Sequence, residues 1–251
     1  FSLIIYRADT IILSIYSGTF AIGVYAASYN LIDVLIVIPS IFTISIYPVL
    51  SKLHVSSKES FKISYKLSFK YLLILGLPIA VGTTLLAEQI IMLIYGLGFK
   101  KSIISLQILI WSIPLMFLTY LLRTTLVSMD KQVLLSKILI ITLIANITLN
   151  LIIIPSFSYV GAAAVTVITE FISFCLCYSY ISKIMGVKLK LINNILKPVT
   201  ASIIMGLFII YFKNNLFLVI LISIIIYFGI LIVLKTFSTD ELNLIKKLFN
   251  N

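Results

Sequence analysis

The chain has 251 residues, of which 61% are hydrophobic and only 11% are charged. A soluble domain of average composition carries about 25% charged and about 45–50% apolar residues, so one water-facing globule cannot bury this much apolar surface. The composition therefore excludes an ordinary soluble enzyme, a disordered tail and a disulfide-stapled secreted module. The formal net charge is +11. The basic residues lie between apolar runs, which indicates loops of a membrane protein rather than a nucleic-acid-binding face.

Apolar runs near the length of a membrane-spanning helix, about 20 residues, recur along the whole chain. The runs are continuously apolar rather than alternating, which predicts helices and not barrel strands. The first run begins inside an apolar stretch without a start methionine, so we expect an N-terminal part of a longer protein to be missing. We predict eight spans, over residues 1–16, 20–50, 71–95, 102–128, 132–155, 159–182, 197–212 and 216–235.

Lysines concentrate in alternate connections between these spans. They cluster within residues 52–70, 131–137, 183–197 and 235–247. The intervening connections carry only Lys100, Lys101 and Lys213. Because cytoplasmic loops carry the excess of lysine and arginine, this pattern predicts a multi-pass protein of the cytoplasmic membrane, with both ends of this segment in the cytoplasm.

Charged residues inside the spans are the candidates for function. Each costs about 2.5–3.5 kcal/mol on insertion scales when it lies at the centre of a helix that faces lipid. They must therefore face a protein interior or a wet cavity, and polar stripes on several helices favour the cavity. These residues are Arg7, Asp9, Asp33, Arg123 and Glu170.

A second polar pattern joins the fifth and sixth predicted spans. Asn146 and Asn150 are four residues apart, so their amides share one helix face. Small residues around Ala162 allow close helix approach, and Thr166 follows one turn later. Two amide oxygens, a hydroxyl, a backbone carbonyl and one carboxylate would suit a hard cation such as sodium. Hydrogen bonding between packed helices explains the same pattern, so both interpretations stay open.

Short motifs in a fixed order then resemble a known family. They are GVYAASY at 23–29 with YPVLS at 47–51, IYGLGF at 94–99 running into 102–109, and NITLN at 146–150 through Pro155 to 161–163. The set is similar to polysaccharide transporters, the Wzx-type flippases of lipid-linked oligosaccharides. These belong to the multidrug/oligosaccharidyl-lipid/polysaccharide exporter superfamily.

The resemblance implies an all-α integral membrane fold, the C-terminal portion of a 14-helix flippase with two lobes. Residues 1–184 would form a six-helix transport lobe whose first helix is truncated. Residues 185–251 would form two accessory transmembrane helices and a short cytoplasmic tail. The missing N-terminal lobe, the lipid bilayer and the lipid-linked oligosaccharide would be its partners, and nucleic acid would not.

The resemblance also implies roles for the polar residues. A polyprenyl-pyrophosphate-linked glycan would cross in a central cavity that opens alternately to each side, coupled to sodium or protons, with no other cofactor. The substrate set would be Arg123, Arg7, Asp33, Tyr29 and Glu170. The cation set, a candidate sodium site, would be Asp9, Asn146, Asn150, the Ala162 carbonyl and Thr166. Asn150 stands where some relatives carry a second acid.

Three alternatives accompany this prediction. A cation-coupled multidrug exporter of the same superfamily would need an acidic, apolar cavity, and arginines in the cavity disfavour cationic drugs. A membrane glycan polymerase or ligase would need a large extracytoplasmic loop, and the predicted outer loops are short. A truncated remnant without transport activity is the third. The sequence contains no catalytic triad, phosphate loop or zinc-ligand cluster, so we predict that the protein is not an enzyme.

Overall fold

The computed structural model describes residues 2–186, 191–212 and 215–237, without the side chains of residues 2–7 and 191–194. Within these ranges the chain is helical apart from short turns, and no strand occurs. A 3-10 turn, Leu97–Phe99, follows the second helix. The α-helices are α1 (Ser2–Ser56), α2 (Lys58–Tyr95), α3 (Ser102–Leu109), α4 (Ser112–Ser128), α5 (Gln132–Met185), α6 (Leu191–Tyr211) and α7 (Leu216–Val233).

Two of these helices are long enough for two spans each. α1 has 55 residues and α5 has 54, against about 20 for one crossing. Each contains one residue with non-helical dihedral angles, Gly18 (φ 73°, ψ 179°) in α1 and Ser158 (φ 49°, ψ −135°) in α5. Both lie between spans predicted from hydropathy. With each helix divided there into two limbs, every one of the eight predicted spans has a helical counterpart among the described residues.

Length and composition agree with a membrane protein. Among the described residues, five helical segments are long and apolar enough to cross a membrane, and Ile195–Tyr211 is a shorter apolar helix. The five are Ala8–Ser56, Lys58–Tyr95, Ser102–Ser128, Gln132–Met185 and Leu216–Val233. The prediction of an all-helical integral membrane fold is therefore confirmed.

Helix α2 begins earlier than the predicted third span. The Ser57 hydroxyl accepts a hydrogen bond from the Ser60 N–H at 3.3 Å, which caps a helix that starts at Lys58. Its 38 residues correspond to about 57 Å at 1.5 Å per residue, against about 30 Å for the hydrocarbon layer. The lysine-bearing first turns thus continue the spanning helix rather than forming a separate loop.

The predicted fourth span is one apolar run but two helices. Pro114 has no N–H, so it cannot donate to the carbonyl of Ile110 four residues earlier. The Ile113 N–H bonds to the Ile110 carbonyl instead, over three residues and at 3.0 Å. The chain is interrupted between α3 and α4 at this point.

The chain divides into two compact units, Phe1–Leu189 and Lys190–Asn251. In the first, α1 and α2 pack against each other and against α3 and α4, and α5 packs on α1, α3 and α4. In the second, α6 packs against α7. The assignment of transport to residues 1–184 and of an accessory role to 185–251 stays a prediction.

Candidate functional site

A cavity of about 520 Å³ lies inside the first unit, between α1, α4 and α5. Apolar side chains, among them Ile36, Met116 and Leu143, form part of its wall. The polar side chains that line it come from all three helices. They are Asp9, Tyr29, Tyr120, Arg123, Ser136, Thr142, Asn146, Thr166, Thr169 and Glu170.

Helical periodicity brings these polar side chains to one place. Thr142 and Asn146 are four residues apart on the first limb of α5, and Thr166 and Glu170 are four apart on its second limb, so each pair shares a face. The interruption at Ser158 turns the chain between the limbs. Both limbs therefore present a polar face to the same cavity.

Asp9 belongs to a chain of polar contacts that crosses three helical limbs. The Tyr25 hydroxyl donates to Asp9 Oδ2 and lies 3.1 Å from Thr166 Oγ1. Thr166 Oγ1 in turn donates to the Ala162 carbonyl at 3.1 Å. Asp9 is 5% exposed and Tyr25 is 1% exposed. A carboxylate is thus held in the protein interior by a phenol from the other limb of its own helix.

A second chain of hydrogen bonds begins at Asn150. Asn150 Nδ2 donates to Asn146 Oδ1 at 3.0 Å, and Asn146 Nδ2 donates to Thr169 Oγ1 at 3.4 Å. Thr169 Oγ1 lies 3.1 Å from the Thr166 carbonyl, which joins this chain to the first. Asn150 is fully buried, and its Oδ1 has no hydrogen-bond partner among the described residues.

The structure brings the predicted cation set into one neighbourhood. Asp9, Asn146 and Thr166 line the cavity, while Ala162 and Asn150 adjoin them through the hydrogen bonds above. One carboxylate among neutral oxygens suits a hard, weakly held cation. No group of three or more His, Cys, Asp or Glu side chains fit to hold a metal occurs within the part of the chain that the structure describes.

Arg123 lines the cavity from α4. Its Nη2 donates to Ser173 Oγ on α5 at 2.9 Å, and its guanidinium interacts electrostatically with Glu170. Its Nε is buried and has no hydrogen-bond partner among the described residues. A guanidinium has five N–H donors, so this one is held in place and keeps donors for an anion.

The other members of the predicted substrate set lie in different places. Tyr29 and Glu170 line the cavity beside Arg123. Asp33 is half-buried and engaged in an interaction of its own, outside the cavity lining. Arg7 is helical, but its side chain lies outside the described residues. The cavity therefore brings together three of the five predicted substrate residues.

Sequence reasoning did not assign Tyr25 and Thr169 to the site. Tyr25 lies on the same face of α1 as Tyr29, and their rings are 5.5 Å apart. That face is readable from helical spacing, but the contact with Asp9 across the Gly18 kink is not. Thr169 is three residues beyond Thr166, a spacing that also marks one helix face.

Comparison with known proteins gives two findings. Residues 1–104 match the family model described as polysaccharide biosynthesis protein. The solved structure of the lipid II flippase MurJ in an inward closed conformation is similar, with a TM-score of 0.76 and 20% sequence identity over 90% of this chain. The chain spans 50% of that MurJ chain. A comparison with curated proteins returned no match.

The first unit and its cavity therefore belong to a multi-pass, all-helical membrane protein with the fold of MurJ. Within that class, residues 1–104 are similar to the family of polysaccharide biosynthesis proteins.

Proposed function

We propose that the protein flips a polyprenyl-pyrophosphate-linked oligosaccharide across the cytoplasmic membrane by alternating access. The observation that carries the proposal is Arg123, a half-buried cation held by Ser173 in a cavity of a flippase-like fold. The glycan and pyrophosphate would pass through the cavity while the lipid tail stays in the bilayer. The substrate set is Arg123, Arg7, Asp33, Tyr29 and Glu170.

The guanidinium supports an anionic substrate. Arginine binds phosphate oxygens through paired N–H donors, and such charge-assisted bonds are roughly twice as strong as neutral ones. Ser173 uses one donor of Arg123, and the buried Nε is free of partners among the described residues. A pyrophosphate would use the remaining donors. The negative charge of the nearby Glu170 would lower the affinity for pyrophosphate. A carrier needs such a limited affinity in order to release its substrate.

A cation gradient drives the cycle in this proposal. Sodium would bind to Asp9, Asn146, Asn150, the Ala162 carbonyl and Thr166. Asn150 Oδ1 supports this assignment. This oxygen is buried and has no hydrogen-bond partner among the described residues, so it could bind a cation. Protons carried by Asp9 are the alternative coupling ion, and no other cofactor is required.

The orientation and the second lobe belong to the same proposal. The lysine-rich connections face the cytoplasm, which places both ends of this segment there. A second lobe would close the cavity from the other side. The match that spans half of the MurJ chain supports this arrangement.

The decisive experiment reconstitutes the full-length protein in liposomes with a fluorescent polyprenyl-pyrophosphate sugar. A membrane-impermeant quencher reports which fraction has crossed. We expect Arg123→Ala to slow translocation about tenfold or more, since a hydrogen bond to a charged group is worth about 1.5–3 kcal/mol. Lys101→Ala, which removes an exposed cation, is the control and should translocate like wild type.

The assay separates the flippase from the multidrug exporter and sodium from protons. Translocation that is unchanged by Arg123→Ala would make Arg123 a packing residue and contradict the proposal. Drug efflux without sugar translocation would support the multidrug exporter. A sodium gradient that accelerates wild type but not Asp9→Asn would support sodium coupling. A proton gradient with that effect would support protons.

A further inference from the structure

Both oxygens of the Asp9 carboxylate accept hydrogen bonds within the protein. Its Oδ1 accepts a hydrogen bond from the Thr10 N–H at 2.8 Å. Its Oδ2 accepts from the Tyr25 hydroxyl. The Thr10 bond lies within one turn of the helix, whereas the Tyr25 bond comes from sixteen residues away. The Thr10 hydroxyl also donates to Oδ1, at 3.4 Å. The Tyr25 bond is the contact of Oδ2, and its exchange does not require the helix around Asp9 to unwind.

The hydrogen bond from Tyr25 occupies an oxygen of the proposed cation set. A tyrosine hydroxyl carries a single hydrogen, and here that hydrogen is directed at Asp9 Oδ2. The same phenol oxygen lies 3.1 Å from Thr166 Oγ1. The phenol therefore stands between two oxygens of the proposed cation set and presents its positive hydrogen to the carboxylate. A cation that binds both oxygens needs the same position.

We propose that the Tyr25 hydroxyl competes with the coupling cation for Asp9 and Thr166. This inference rests on the proposed function. In it Tyr25 does not bind the cation but occupies the place where the cation would bind. When the phenol swings away, Thr166 Oγ1 keeps its bond to the Ala162 carbonyl. Asp9 Oδ2 then loses its hydrogen bond, and the space that the phenol oxygen held beside Thr166 Oγ1 becomes available to a cation.

The competition also links the site to the shape of α1. Asp9 precedes Gly18 and Tyr25 follows it, so the Asp9–Tyr25 bond ties the two limbs across the kink. No atom lies within 4 Å of the position of a Cβ at Gly18, so the kink has open space around it. Exchange of the phenol for a cation removes that tie. Occupancy of the site and the angle between the limbs are then coupled, as ligand-driven alternation requires.

The test measures sodium affinity by thermal stability, which needs no substrate. The purified full-length protein in detergent is melted at fixed pH across a series of sodium chloride concentrations, with choline chloride keeping ionic strength constant. We expect Tyr25→Phe to lower the apparent sodium Kd about tenfold, because it removes a charge-assisted hydrogen bond that sodium must otherwise displace. Asp9→Asn should abolish the sodium response.

Tyr65→Phe is the matched control. Tyr65 is 1% exposed, and its hydroxyl has no hydrogen-bond partner among the described residues. Its variant loses the same atom from a buried ring on α2, away from the proposed set. We expect its sodium Kd to equal that of wild type. An equal decrease in both variants would show a general effect of losing a buried hydroxyl and would overturn the inference.

The direction of the change separates the possible roles of Tyr25. A higher Kd in Tyr25→Phe would make the phenol a ligand, and an unchanged Kd would make it a spectator; either result overturns the competition. No sodium response in wild type would also overturn it. That last result leaves the translocation assay with Arg123→Ala as a separate test of the flippase proposal.

A spectroscopic measurement covers the case in which Tyr25→Phe does not fold. Incorporation of 3-fluorotyrosine at position 25 keeps the hydroxyl, and ¹⁹F NMR then reports its surroundings. We expect a resonance that moves on addition of sodium and stays fixed in Asp9→Asn. A resonance that is insensitive to sodium, while sodium still stabilises the protein, would overturn the proposal.

Discussion

At Asn150 the protein keeps a polar group where apolar packing would be more stable. The side chain is fully buried, and Nδ2 donates to Asn146 Oδ1 at 3.0 Å. Its Oδ1 has no hydrogen-bond partner in the described part of the chain. A buried acceptor without a partner costs about 1–3 kcal/mol. Such a cost at the edge of a polar cavity is reasonable if the oxygen serves a ligand, as the proposed cation set requires.

Asn150→Asp is a prediction for this residue. The substitution adds a second negative charge to the set and removes the donor to Asn146. We therefore expect a lower melting temperature without sodium and a larger stabilisation by sodium than in wild type. Each tenfold decrease in Kd adds about 1.4 kcal/mol at saturating sodium. Melting curves with and without sodium measure both effects, and a sodium response equal to that of wild type would contradict the assignment.

At the residue scale, the sequence predicted which helix face a polar side chain occupies, but not which residue of another helix it contacts. Spacing within one helix placed Asn146 beside Asn150 and Thr166 beside Glu170. It placed Tyr25 on a polar face, but it could not give the approach of Asp9 from the other limb. That contact depends on the dihedral angles at Gly18, where glycine adopts a positive φ that other residues rarely adopt. Contacts between helices follow from tertiary packing, and a single sequence does not contain them in readable form.

At the element scale, two serines fasten α1 to α3. Ser102 Oγ donates to the Val24 carbonyl at 2.8 Å, and Ser28 Oγ donates to the Ser102 carbonyl at 2.9 Å. These reciprocal bonds hold the limb of α1 that carries Tyr25. The opposite limb of α1 has its own tie to that limb through Asp9. If a cation replaces the Tyr25 hydroxyl at Asp9, the limb that carries Asp9 is released from the limb that carries Tyr25, which α3 holds in place.

The two limbs of α5 approach each other at Gly161, one turn beyond the interruption at Ser158. A Cβ at this position would lie 2.8 Å from Ile153 Cγ2 and 3.2 Å from the Ile153 carbonyl oxygen. Real Cβ atoms do not approach other heavy atoms so closely without displacement. The glycine therefore allows the two limbs to approach each other closely beside the interruption at Ser158.

Gly161→Ala tests this close approach. We expect a loss of about 1–3 kcal/mol of stability, since an added methyl forces the backbone of a packed core to shift. Gly23→Ala is the control, because nothing lies within 4 Å of a Cβ there. Alanine at a helical position should stabilise by about 0.5–1 kcal/mol relative to glycine. Thermal unfolding in detergent compares the two variants, and equal melting temperatures would contradict the packing argument.

The number of helical segments was predictable because long apolar runs are a strong signal. The interruptions of the helices within these runs were harder to predict. The interruption between α3 and α4 had a local cause in Pro114, which hydropathy ignores because the surrounding run is uniformly apolar. The start of α2 at Lys58 was missed because the lysines before residue 71 lower the hydropathy from which the third span was predicted. These lysines lie in the first turns of a helix that continues to Tyr95.

On the scale of the whole molecule, the distribution of lysines predicts which ends of the helices face the cytoplasm. The connections around 52–70 and 131–137 lie at the lysine-rich ends of the helices, and the turn at 96–101 lies at the other end. Since a transporter works with opposite access on its two sides, orientation determines the direction in which Arg123 would receive its substrate. The lysine pattern is the argument for orientation, because the fold by itself has no marker of sidedness.

Cysteine labelling of intact cells tests that orientation. Lys101 and Lys131 are both exposed and flank α3 and α4, so they lie at opposite ends of one span. In a background with Cys175→Ala and Cys177→Ala, we expect Lys101→Cys to react with a membrane-impermeant maleimide. Lys131→Cys should react only after permeabilisation, which also serves as the control for its reactivity. The reverse pattern would invert the topology, and the lysine-rich ends would then face outward against the electrostatic rule that places them inside.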